Sequence, residues 1–172
     1  KVLTEAIDNW VDSFQSSADG KALWFTVQEK GRWPLHRIEV ASGKVDRVVE
    51  GLSIREFALD RGEKAVYFTK TRVGEPVEIW RCNLETHFLT RLTAFNQAVA
   101  DEVDFRPAEE QWVKGADGKD IHVFLVKPHG FDPAKKYPLI LNVHGGPQMM
   151  WSDTLRGDWQ VYPGAGYIVA FP

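Results

Sequence analysis

The first hundred or so residues carry their apolar positions in short bursts. Runs rich in aromatic and β-branched residues at 22–27, 35–40, 45–49, 54–59, 65–70, 77–84, 88–92 and 99–105 are each bounded by Gly, Asp, Pro or Thr, and each predicts a strand. Residues 1 to about 13 read as the tail of an element that begins earlier. Beyond Arg106-Pro107 the pattern changes. Residues 110–114 and 121–126 flank an Asp117-Gly118 turn, which predicts a β-hairpin whose second strand ends buried on both faces. The run Leu139-Ile140-Leu141-Asn142-Val143 shows little alternation, so it predicts a strand covered on both sides, as in a parallel sheet. Trp151, Leu155, Trp159 and Tyr162 then recur at helical spacing, with Ser152 as N-cap and Pro163-Gly164 as the stop. A last apolar run covers 167–171, so strand, glycine turn, helix and strand make one βαβ unit.

The short strands belong to a repeat. Residues 14–26 align without a gap on 57–69, an offset of 43, and Lys-Ala-[Leu/Val]-[Trp/Tyr]-Phe-Thr is nearly identical in both copies. With one residue inserted, Leu35-His36-Arg37 falls on Ile79-Trp80-Arg81. A period near 40 to 45 with several strands per copy is the signature of a β-propeller blade. Two blades cannot close a propeller, so further blades are expected before Lys1. Glu29, Lys30, Arg32, Glu75 and Glu78 read as solvated loop and edge positions, and Arg37 and Arg81, equivalent in the repeat, as structural partners within each blade.

Composition narrows the function classes. A net charge of −3, from 21 basic and 24 acidic residues, gives no reason to expect nucleic acid or an anionic membrane surface. No apolar stretch approaches the roughly 20 residues of a membrane span. Cys82 has no second cysteine to pair with and reads as a small buried apolar residue. His36, His87, His122 and His129 lack metal-ligand spacing, and no glycine-rich phosphate motif occurs, so no metal, cofactor or nucleotide is expected.

The chemistry concentrates in His144-Gly145-Gly146-Pro147, directly after the buried run. In open α/β sheets ligands bind at the carboxyl ends of the strands. Glycines there let backbone come close to a bound carbonyl, and a fixed N–H aimed at its oxygen stabilises the charge that gathers during nucleophilic attack. The order strand, HGG, helix matches the loop that supplies one oxyanion-hole amide in α/β-hydrolases; the bland reading is a tight strand-to-helix turn. His144 reads as a loop-orienting residue, and Met149-Met150-Trp151 as packing at the start of the helix.

Taken together, these residues resemble the prolyl oligopeptidase family of serine peptidases, in its acylaminoacyl-peptidase and dipeptidyl-peptidase branches. The matching features are the blade motif Ser17-Ala18-Asp19-Gly20-Lys21, the hairpin turn Asp117-Gly118-Lys119, Tyr137-Pro138 before the strand, His144-Gly145-Gly146-Pro147, and Gly166-Tyr167-Ile168-Val169. The resemblance implies the last blades of a β-propeller over 1–106, followed over 107–172 by the N-terminal part of an α/β-hydrolase domain. It implies a peptidase acting on short peptides through a Ser–Asp–His triad. Gly146 would supply an oxyanion-hole N–H, supported by Gly145, His144 and Pro147, while the propeller limits access.

One feature of the family is absent. None of the six serines (Ser13, Ser16, Ser17, Ser42, Ser53, Ser152) lies between glycines at minus and plus two, so no nucleophile elbow occurs. The triad is therefore expected beyond these residues, the partners being a peptide and the remainder of the same polypeptide, and the chain alone is expected to be inactive. Two rival readings are an esterase of the same hydrolase fold and a non-catalytic propeller scaffold.

Overall fold

The computed structural model describes residues 2–172. They divide into two compact units: residues up to Thr71 with Val77–Asn96, and Arg72–Pro76 with Gln97–Pro172. The first unit holds two four-stranded antiparallel meanders. One is β1 (Val11–Ser16), β2 (Ala22–Val27), β3 (Leu35–Glu39) and β4 (Val45–Val49). The other is β5 (Ser53–Leu59), β6 (Ala65–Arg72), β7 (Glu75–Asn83) and β8 (Leu89–Arg91), with the β6–β7 turn contributing to the second unit.

The repeat extends to backbone geometry. Phe14 faces Phe25 across β1–β2, and Phe57 faces Phe68 across β5–β6. Both pairs carry a register irregularity at the matching place, between Val11 and Phe14 and between Ile54 and Phe57. The turns match as well. Ala22 N donates to Ser17 Oγ at 2.9 Å, and Ala65 N donates to Asp60 Oδ1 at 3.0 Å. Gly20 and Glu63, one offset apart, both have left-handed φ, 70° and 50°. The first strand thus starts at Val11, earlier than the Phe14 at which the sequence match begins.

Alternation within the strands builds two cores. Trp24, Leu35 and Val49 pack with Leu52, Ile54, Val66, Phe68 and Cys82 between the two meanders, whereas Phe25, Val27 and Ile38 form a separate cluster. A backbone bridge also joins them: Trp33 N donates to Leu52 O and Ile54 N to Trp33 O. Arg37 lies over the Trp24 ring at 5.9 Å, a contact within its own sheet.

Two expectations about this unit and its border are corrected. Glu78 is not solvated: it is 5% exposed and accepts bonds from Thr93 Oγ1, Phe95 N and Asn96 N, with Arg91 3.2 Å away. Residues 99–105 form no strand. The chain makes α1 (Gln97–Glu102) there, since Val99 and Val103 are exposed and have no apolar face to complete.

The second unit is a mixed sheet. β9 (Ala108–Lys114) and β10 (Asp120–Val126) form the expected hairpin, with Gly118 at φ 79° in its turn. β11 (Leu139–Leu141), α2 (Asp158–Gly164) and β12 (Ile168–Phe171) follow, in the sheet order β11-β12-β10-β9. β11 and β12 are parallel, and β12 runs antiparallel to β10. Val73, Phe124, Val126, Trp159, Val169 and Phe171 make the core, with the Trp159 and Phe171 rings stacked at 3.5 Å.

Among the described residues, β11 lacks the double burial its composition suggests. It is an edge strand here, and Leu139, Leu141 and Val143 are 59%, 61% and 63% exposed. The helix is also shorter than expected, beginning at Asp158 behind an N-cap Gly157. Ser152 does not cap it, because its hydroxyl meets Thr154 Oγ1 at 3.1 Å. Asp153 Oδ1 is taken by Val73 N at 3.0 Å. Ser152 and Asp153 thus spend their polar groups away from the helical ladder.

Candidate functional site

The loop 142–150 leaves the carboxyl end of β11, where Asn142 N still donates to Ala170 O at 2.8 Å. His144, Gly145, Gly146 and Pro147 are contiguous in the turn that follows, and all but His144 are exposed. Pro147 O accepts Met149 N at 3.2 Å, which tightens the turn, and Met149 is 53% exposed rather than packed.

The two glycines are not equivalent. Gly146 has φ 149°, and a Cβ there would stand 2.9 Å from Gln148 N, a backbone atom with little room to give. A Cβ on Gly145 would meet nothing within 4 Å. Only Gly146 is required by the fold of the loop. Among the described residues nothing accepts its N–H.

His144 acts on this pair through the peptide plane. Its Nδ1 lies 2.7 Å from Gly145 O, and a carbonyl only accepts, so the contact calls for the proton on Nδ1. In a trans peptide the carbonyl and the following N–H point in opposite directions. Holding Gly145 O therefore fixes the direction of the Gly146 N–H.

Sequence reasoning missed the supports beneath this loop. Trp151, taken for the first residue of a helical stripe, donates from Nε1 to Asn142 O at 2.8 Å. Its ring stands edge-on to His144 at 6.5 Å and to Trp159 at 5.1 Å, with the Arg156 guanidinium 4.7 Å above it. Buried Asp153 and the half-buried Gln160 bind the 72–76 segment: Gln160 Nε2 donates to Val73 O at 2.7 Å and to Arg106 O at 3.0 Å, and its Oε1 accepts Arg106 N. Gly74 packs so close that a Cβ would lie 3.0 Å from the Pro107 backbone. No periodicity announces these contacts, since 80 residues separate Asp153 from Val73.

Three of the four remaining histidines take roles of their own. His122 stacks on Trp112 and meets Glu110 Oε2 at 3.0 Å, and His129 meets Asp104 Oδ2 at 2.8 Å. His36 is buried against Phe25, and that burial lowers its pKa. None of the three contacts the 144–147 turn.

No protein-family model matches the chain. It is 30% identical over 167 residues to dipeptidyl-peptidase 5 of Porphyromonas gingivalis, covering 94% of this chain and 24% of that protein. It is 30% identical over 153 residues to dipeptidyl-peptidase 5 of Schizosaccharomyces pombe, covering 86% of this chain and 21% of the relative. The chain thus spans about a quarter of the length of the curated relatives it matches. Among solved structures, the fold is similar to the acylaminoacyl peptidase of Pyrococcus horikoshii, with a TM-score of 0.82 at 22% identity over 99% of this chain and 26% of that one. It is also similar to dipeptidyl peptidase 4 of Porphyromonas gingivalis, with a TM-score of 0.71 at 20% identity over 95% of this chain and 24% of that one.

Proposed function

We propose, because the chain belongs to the prolyl oligopeptidase family of serine peptidases, that the protein it represents cleaves peptide bonds in short peptides. The two meanders belong to the last blades of a β-propeller, a domain assigned to residues 1–106, and the mixed sheet belongs to the start of an α/β-hydrolase domain, assigned to 107–172. The matched registers of the meanders and the parallel β11–β12 pair with α2 between them support this assignment.

In this reading the serine, aspartate and histidine of the triad lie beyond these residues. The serine attacks the substrate carbonyl, and the histidine takes and returns its proton. Charge gathers on the carbonyl oxygen, and the Gly146 N–H donates to it. The observation that carries the reading is the conformation of Gly146: an exposed glycine just past a strand's carboxyl end, in a backbone shape that tolerates no Cβ. Gly145 keeps the approach open, Pro147 closes the turn and His144 sets the peptide plane. The propeller limits the site to short peptides.

The test uses the full-length protein with a dipeptidyl chromogenic amide, an acylated amino-acid amide and a simple ester. Hydrolysis of either amide supports the peptidase. Turnover of the ester alone points to an esterase, and no turnover of any substrate points to a scaffold.

A further inference from the structure

The parallel ladder between β11 and β12 leaves a carbonyl unserved where the chain leaves the sheet. Leu139, Ile140 and Leu141 stand opposite Ile168, Val169 and Ala170. In that register Asn142 stands opposite Phe171. Its N–H reaches back to Ala170 O, as observed at 2.8 Å. Its carbonyl should accept from the residue after Phe171, because in a parallel pair the residue that donates to the one before its partner accepts from the one after it. That residue is Pro172, which has no N–H. The Trp151 indole N–H stands in for it, at 2.8 Å from Asn142 O.

We propose that Trp151 is a positioning residue for the oxyanion-hole turn, an inference that rests on the function proposed above. The indole replaces the sheet partner that Pro172 cannot supply, at the last peptide before His144. It holds the end of β11 while its ring borders His144, whose Nδ1 holds Gly145 O. Arg156 covers the indole face, so the donor is held in place by packing as well as by its own bond. Without that bond the Asn142 peptide loses its restraint and the direction of the Gly146 N–H broadens. Charge stabilisation suffers more than substrate binding.

The experiment uses the full-length protein, with Trp151→Phe compared against Trp159→Phe. Both remove an indole N–H and keep an aromatic ring, but the Trp159 Nε1 is buried without a partner. Trp151→Phe is expected to lower kcat about tenfold, less than direct loss of an oxyanion donor, with KM within about twofold of wild type. It should weaken a peptidyl boronate, which mimics the tetrahedral adduct, by a similar factor. Trp159→Phe should change neither. Adding Pro172→Ala to Trp151→Phe returns an amide N–H to the ladder and should recover most of kcat. The proposal is overturned if Trp151→Phe behaves like Trp159→Phe, or if its loss is not recovered by Pro172→Ala. If the wild-type protein turns over neither amide, the peptidase reading has failed instead.

Discussion

The Glu78 carboxylate accepts the backbone N–H of Asn96 at 2.8 Å, so a β7 residue fixes the segment through which the chain leaves the second meander. Burial alone would raise the pKa of Glu78. Hydrogen bonds from Thr93, Asn96, Phe95 and Arg91 outweigh it and lower the carboxyl from 4.5 to about 2. A depressed carboxyl contributes stability that is present above its unfolded pKa and fades as pH falls through the folded one. The urea midpoint of the protein should therefore decline between about pH 4.5 and pH 2. Glu78→Gln should lower the midpoint at neutral pH and flatten this part of the profile; an unchanged profile would remove Glu78 from the account.

The two glycines of the turn should separate under substitution. Gly146→Ala places a Cβ 2.9 Å from Gln148 N at a φ of 149°, so the turn must shift. In the full-length protein kcat is expected to fall by about 10²-fold, the scale of a lost oxyanion donor. Gly145→Ala meets no atom within 4 Å, so its melting temperature should match wild type, and any loss of turnover there reads substrate access alone.

Trp159→Ala should be among the costlier changes in the second unit. The side chain is fully buried, stacked on Phe171 and edge-on to Trp151. Truncating a buried aromatic costs about 3–5 kcal/mol. Calorimetry or denaturant titration of the full-length protein measures the loss. A cost below about 1 kcal/mol would mean that the cavity collapses without strain.

Cys82 is 1% exposed, and burial raises its thiol pKa. Thiolate is the reactive form, so the native protein should resist alkylation at this position. Peptide mapping after iodoacetamide treatment should find Cys82 unlabelled without denaturant and fully labelled in urea. Rapid native labelling would show that the sheet around it opens readily.

The strands of the repeat were legible because their alternation and their turns are local signals. Ser17 and Asp60 do the same job in the same place, and a sequence offset is enough to find them. The turn at 144–147 was legible as a turn because two glycines follow an apolar run, and Gly146 takes a backbone shape that favours glycine. Glu78 was misjudged because its partners, Thr93, Phe95 and Asn96, are mostly backbone groups that no residue type announces. Trp151 was misjudged because its spacing from Leu155 and Trp159 imitates a helix, while its indole answers a vacancy created by a proline 21 residues later. Long-range hydrogen bonds of this kind have no period to read.

Within these 172 residues taken alone, the two edges of the mixed sheet differ in their tendency to add strands. β9 carries Glu109, Glu110 and Lys114 along its length, and charge of that kind discourages strand addition. β11 offers instead a free backbone edge flanked by exposed Leu139, Leu141 and Val143. A sample of these 172 residues alone would be a template for its own copies, self-associating more strongly as concentration rises. One lysine in place of Leu139 or Leu141 is the direct means of keeping it dispersed.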